Sequence, residues 1–284
     1  PYPRAAKISS EANIHAAGAH LPYPSVSEIS SEANIPRSAS RGVKAIALTA
    51  GQSMARLMGL LTLVVLARVL TKEDVAAYRQ TLLAYQVVAP FLGLGLAQGI
   101  FYFLPTEKIR IRGRVVDAIL LLGATGLLYG IFIACGGNQL LAARFSNPQV
   151  AQFLLWMVPY ALFTLPASLT PSVLVAREKV FQSSVFVATR QFFIGVGTIL
   201  PVLIWQNVES AVIGNVVASV LFGIEAIFLM LRYTPAGSSA KPSTASLREM
   251  VAFSFPLGLA TMVGTISMQM DKLIVGLMCS PEEF

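Results

Sequence analysis

The stretch LLTLVVLARVLTKEDVAAYRQTLLAYQVVAP, residues 60–90, decides the fold. Its two apolar runs do not alternate polar with apolar side chains, and the break between them, TKEDVA (71–76), is short and charged. A strand of a membrane barrel is about ten residues of alternating character, so neither run reads as one. A transmembrane helix needs about 20 mostly apolar residues, because the hydrocarbon core is about 30 Å thick. Both runs extend far enough to supply them, over 45–67 and 78–104. Charged, Gly, Pro and Ser residues belong where a helix leaves hydrocarbon and its end groups must reach water.

The pattern repeats outward from this pair. Further apolar spans cover 115–135, 150–174, 181–205, 210–231 and 251–278. Between them lie TEKIRIRGR (106–114), GGNQLLAARFSNPQ (136–149), AREK (176–179), QNVES (206–210) and the Pro/Ser-rich segment 232–249. Composition agrees: 55% of the 284 residues are hydrophobic and 12% charged, with a mean hydropathy of +0.67. Soluble domains carry about 25% charged residues, so an ordinary water-facing surface is excluded. The expected fold is an all-α polytopic membrane protein with about seven spans.

The net charge of +7 is a matter of placement. Fourteen lysines and arginines fall in the N-terminal tail and alternate loops, and four in the loops of the opposite side. By the positive-inside rule the tail is cytoplasmic and the protein multi-pass in the cytoplasmic (inner) membrane. The cluster Lys108–Arg114 reads as topology plus contact with anionic lipid. The expected charged partner is therefore the bilayer, not nucleic acid. Residues 1–42 differ from the rest: PYPRAAKISSEANI (1–14) recurs as PYPSVSEISSEANI (22–35), and the segment reads as a disordered tail. Cys135 and Cys279 have no metal or redox spacing and read as packing residues. No metal site or cofactor is expected. With no Walker A, H-E-x-x-H or nucleophile elbow in the chain, an enzyme reading is weak.

Three basic residues remain inside spans: Arg56, Arg190 and Lys272. A cation at bilayer depth costs at least about 2.5–3.5 kcal/mol and so faces a cavity or a partner. Arg56 shares a polar stripe with Thr49, Gln52, Ser53 and Gly59; Arg190 adjoins Gln191, Gly195 and Thr198; Lys272 follows Asp271. Converging on one lumen, the three would bind an anionic group such as phosphate. The alternative is that each pairs with a buried acid, with Glu225 and Asp271 available. Those two acids could equally serve ion coupling. Lys272 could also snorkel to an interface. Gly126 and Gly130 form a G-x-x-x-G pair suited to close helix packing.

SMARLMGLLTLVVLARVLTKEDVAAYRQ (53–80) resembles the first helix and following loop of polysaccharide flippases of the MOP (multidrug/oligosaccharidyl-lipid/polysaccharide) superfamily. The resemblance rests on Ala55, Arg56 and Gly59, then Ala67-Arg68-Val69-Leu70-Thr71-Lys72-Glu73 and Tyr78. Val75-Ala76 stands where that family often has Tyr-Gly. VVAPFLGLGLAQGIFYFLP (87–105), with Gly93, Gly95 and Gln98, is similar to its second helix. FSFPLGLATMVGTISMQMDKLIVGLMCSPEEF (253–284) is similar to its seventh, with Phe253, Pro256 and the Asp271-Lys272 pair.

The resemblance implies two six-helix bundles rocking around a central lumen. Against that plan the chain holds a tail (1–42), a six-helix bundle (43–232), a cytoplasmic linker (233–250) and the first helix of a second bundle (251–284), as a truncated product would. The implied activity is translocation of a lipid-linked oligosaccharide or polysaccharide precursor by alternating access. The expected substrate-binding residues are Arg56, Arg190, Lys272, Gln52 and Gln98, with Asp271 and Glu225 for ion coupling or charge pairing. Expected partners are the lipid bilayer, the lipid-linked glycan, the missing bundle or a second copy, and polysaccharide assembly proteins. Two rivals stand beside it: a drug/cation antiporter of the same superfamily, with an acid-lined lumen, and a non-transporting scaffold whose intramembrane arginines are satisfied by acids.

Overall fold

The structure, a computed structural model, describes residues 37–106, 110–235 and 243–278; within its first and last helices, the side chains of 37–41, 44, 47 and most of 265–278 are not described. The expected tail and its duplication, up to residue 36, lie outside the described residues, as do 236–242 of the expected linker. Residues Gly42–Phe284 form one unit.

Every regular element among the described residues is helical. The first span is α1, Arg37–Val69. The second is α2, Lys72–Gly93, continued by α3, Leu96–Thr106. The third is α4, Ile111–Phe132, which passes through a π-helical turn at Ile133–Gly137 into α5, Asn138–Arg144. The fourth is built from three short pieces: α6 (Gln149–Trp156), α7 (Val158–Ala167) and α8 (Thr170–Ala176). The fifth is α9, Val180–Trp205, and the sixth α10, Val208–Arg232. Last comes α11, Thr244–Met278. Among the described residues, six helical runs are long and apolar enough to cross a membrane. The expected seventh span corresponds to α11, whose side chains are only partly described. The protein is an all-α polytopic membrane protein, and large exposed apolar side chains such as Leu57, Leu128, Ile204 and Phe228 suit a surface that meets lipid.

The polar breaks prove to be helix starts as much as loops. Thr71 caps α2, its hydroxyl oxygen accepting from Asp74 N at 3.2 Å, with Glu73 and Asp74 in the first turn. Asn207 caps α10, its Oδ1 accepting from Ser210 N at 2.9 Å. The segment 136–149, expected as a polar break, is kinked at Gly136, whose φ is 109°, and helical from Asn138 to Arg144. Its polar residues are used internally: Asn138 donates to Ala151 O at 3.2 Å, and Asn147 donates to Gln80 Oε1 at 3.2 Å.

The main irregularity sits within the second span. Leu94 and Gly95 take left-handed φ values of 50° and 68°, separating α2 from α3. At Gly95 a side chain would also collide with α11, since a Cβ there would lie 2.6 Å from Gly258 Cα. The Gly126/Gly130 pair packs on α7 as its spacing expects: Cβ atoms there would lie 3.1 Å from Leu162 Cα and 2.8 Å from Val158 Cγ1. Tyr85 stands edge-on to Tyr129 and Tyr160, with centroids 5.9 and 5.0 Å away, and its hydroxyl meets Thr164 Oγ1 at 2.9 Å. Cys135, expected as a packing residue, is exposed.

The elements share two ends. Leu70, Tyr78, Phe153, Val202 and Val208 cluster at one, called here the Lys72 end. Arg114, Ser246 and Glu249 meet at the other, the Arg114 end.

Candidate functional site

A cavity of about 620 Å³ opens among α1, α2, α7, α9 and α10. Each long helix contributes one stripe at helical spacing. From α1 come Gly59, Thr62, Leu63 and Leu66; from α2, Tyr78, Arg79, Leu82, Leu83 and Gln86; from α9, Arg190, Gln191, Ile194, Gly195 and Thr198. Tyr160 of α7 and Asn215 of α10 complete the wall. Counted from the Lys72 end at 1.5 Å per residue, Arg79 lies about 10 Å into α2 and Arg190 about 22 Å back from Trp205 of α9. The cavity therefore holds two guanidinium groups at different depths, Arg79 nearer the Lys72 end and Arg190 close to the middle of the bundle.

The wall is rich in hydrogen-bond donors, and none of the described residues in it carries a carboxylate. Asn215 Nδ2 donates to the Tyr78 hydroxyl at 2.8 Å, and the Thr198 hydroxyl lies beside the same phenol. Ser219 Oγ in turn donates to Asn215 Oδ1 at 3.4 Å and steadies the amide. The Thr62 and Thr198 hydroxyls donate to the carbonyls of Met58 and Ile194, at 2.9 and 2.8 Å. Arg79 is exposed and Arg190 half-buried. Among the described residues neither is in an ion pair; the two pairs present there are Arg110–Asp117 and Arg114–Glu249. Chemically, such a wall suits an anion bearing several acceptor oxygens, because guanidinium binds phosphate or carboxylate through paired, charge-assisted hydrogen bonds.

Of the residues expected to bind substrate whose side chains are described, Arg190 lies in this wall and Arg56, Gln52 and Gln98 do not. Arg56 sits one turn before Gly59 and is exposed, outside the cavity, as is Gln52. Gln98 lies half-buried on α3, beyond the Leu94–Gly95 break. The side chains of Lys272 and Asp271 lie outside the described residues. Glu225 is exposed and pairs with neither Arg56 nor Arg190. Arg79, counted from the sequence as a loop cation, is instead on the second turn of α2 and in the wall. The signal for it was the spacing Arg79, Leu82, Leu83, Gln86, one face of a helix that begins at Lys72 rather than at residue 78.

A second hollow, about 680 Å³, lies on the opposite face of α9 and α10, between Phe193, Leu200, Pro201, Ile213 and Leu221. Its lining is almost wholly apolar, with Glu209 and Asn207 only at its Lys72 end, as expected of a lipid-facing groove.

A family model described as "Polysaccharide biosynthesis protein" matches residues 42–284. No curated protein and no solved structure shows significant similarity to the chain.

Proposed function

The chain belongs to the polysaccharide biosynthesis protein family, and from that premise we propose that it is a flippase moving a lipid-linked oligosaccharide or polysaccharide precursor across the membrane. The observation that carries the reading is the cavity holding Arg79 and Arg190, in whose wall no described residue is acidic. In it the two guanidiniums bind the phosphates that join lipid to glycan, and Gln86, Gln191 and Tyr78 offer donors to the sugar. The lipid chain stays in hydrocarbon while the head crosses by alternating access. The tail lies on the cytoplasmic side of the inner membrane, as the charge bias supports.

An acid-lined lumen, which a drug/cation antiporter calls for, finds no support in this wall. A packed scaffold, with each arginine held by an acid, finds none in Arg79 and Arg190, which are in no ion pair among the described residues. Arg56 supports one further element of the reading. An exposed guanidinium at bilayer depth is costly, so this face of α1 meets water or another helical body. That body is a further bundle of the same polypeptide or a second copy, with Lys272 as an added cation near the path and polysaccharide assembly proteins as neighbours.

The test is export of the glycan by cells carrying Arg79→Ala, Arg190→Ala and the double variant, with membrane insertion monitored in parallel. A hydrogen bond to a charged group contributes about 1.5–3 kcal/mol, so each single variant is expected to lose about 10- to 100-fold in rate. Arg190→Lys retains charge without the bidentate fork and falls between. Normal export by an inserted double variant would sink the assignment.

A further inference from the structure

The apolar hollow on the outer face of α9 and α10 shares no described lining residue with the arginine-bearing cavity, and the flippase reading gives it no task. It exists because the two helices cross on small residues. A Cβ on Gly214 would run into the Gly197 carbonyl oxygen, and one on Gly197 would lie 2.7 Å from Ala218 Cβ. The floor is therefore backbone and methyl, while Leu200, Ile213 and Leu221 stand exposed along the rims. On the α9 side the groove runs from Phe193 to Trp205, about 18 Å at 1.5 Å per residue. That is close to the depth of one leaflet, half of a hydrocarbon core about 30 Å thick.

The mouth of the groove is polar and carries a sign. Trp205, Asn207 and Glu209 stand where α9 ends and α10 begins, the level at which lipid head groups meet the protein. Among the described residues of the lining, Glu209 is the one charged side chain, and none is basic. Its carboxylate is exposed and in no ion pair among the described residues. Capping of α10 does not occupy it, because Asn207 Oδ1 already accepts from Ser210 N at 2.9 Å. The Asn207 amide nitrogen makes no hydrogen bond among the described residues, and the Trp205 indole is exposed. Both offer N–H groups to a phosphate oxygen.

An apolar trough one leaflet deep, with an acid at head-group level, complements a lipid whose head is cationic. A carboxylate gains charge-assisted hydrogen bonds from an ammonium that carries protons and none from a fully methylated one. An anionic head, including the diphosphate of a lipid-linked glycan, is repelled at the same position. We propose that this groove is a binding site for a phospholipid with a primary ammonium head. One acyl chain lies along Gly197, Gly214 and Ala218, Glu209 accepts from the ammonium, and Trp205 and Asn207 donate to the phosphate. The bound lipid fills the hollow beside the α9–α10 crossing. The site stands independently of the flippase reading.

The test is native mass spectrometry of the whole chain, delipidated in detergent and titrated with dioleoyl phosphatidylethanolamine, phosphatidylcholine and phosphatidylglycerol. Phosphatidylethanolamine should bind at least tenfold tighter than either of the others, the factor that one hydrogen bond to a charged group supplies. Glu209→Gln should weaken it about tenfold and bring it level with phosphatidylcholine. Val217→Trp places a bulky side chain on an exposed lining position and should abolish saturable binding. Leu203→Trp, exposed on α9 outside the groove, should change nothing. Equal affinity for the three lipids, or an undiminished preference in Glu209→Gln, overturns the ammonium site. Saturable binding that survives Val217→Trp puts the lipid elsewhere and overturns the groove. A lipid-free dimer that Val217→Trp disperses would make this face a contact between copies of the chain, and that too overturns the proposal.

Discussion

Arg79, Arg190 and Arg56 carry the same group at bilayer depth or near it and meet three different fates. Arg190 was legible in the sequence because an arginine amid VFVATRQFFIGVG (185–197) has nowhere cheap to go. Arg79 was not, because it lies nine residues past Leu70 in a segment whose charges mimic a loop. The supporting groups were harder still, since Tyr78 and Asn215 are 137 positions apart and meet only through the packing of α2 on α10. Their bond sets the floor of the cavity. Interhelical hydrogen bonds in membranes are worth about 0.6 kcal/mol on average and at most about 1.7. Asn215→Leu is therefore expected to lower stability by about 1 kcal/mol, read as a small drop in unfolding midpoint in detergent. It should reduce flipping far less than Arg190→Ala does. A loss of flipping as complete as that of Arg190→Ala would assign the amide a direct part in binding.

At the scale of elements, the spans were legible because hydrocarbon imposes a length and tolerates few charges, and the boundaries read from the sequence fall within a few residues of most helices. The interruptions were not. A helix that fails inside a membrane leaves donors and acceptors that neighbouring helices re-satisfy, and those neighbours are remote in sequence. The fourth span reads as one run yet is three pieces, bridged by local bonds such as Ser168 N to Thr164 O at 3.0 Å. The prolines that suggest kinks mostly lie within continuous helix, as Pro90, Pro201 and Pro256 do. The breaks with left-handed backbone fall instead at Leu94–Gly95 in the second span and at Gly136 in the third. At the first, Gly95→Ala should be poorly tolerated, since a left-handed residue with a Cβ costs about 1–2 kcal/mol and that Cβ would also meet Gly258. Thermal unfolding and protease sensitivity of α11 would report it. Wild-type behaviour in both would mean that the α11 crossing is looser than these distances imply.

For the whole molecule, the feature that organises the rest is an asymmetry between the two ends. Nearer Lys72 the bundle holds a donor-lined cavity with two cations that are in no ion pair among the described residues; toward Arg114 a charge pair and stacked rings join α11 to α4 and α3. Composition announces a membrane protein, but not where its cavity lies, because that depends on contacts among residues far apart in the chain. The most direct test of the central claim, a water-filled anion cavity inside the bundle, is the reactivity of a single Gln191→Cys in the Cys135→Ser, Cys279→Ser background. It should react with an impermeant maleimide in membranes, while Leu203→Cys on the exposed apolar face does not. A lipid-linked diphosphate glycan should slow the reaction, a neutral lipid should not, and Arg190→Ala should abolish the protection. A Gln191→Cys that fails to react, or that both lipids protect equally, would contradict the account.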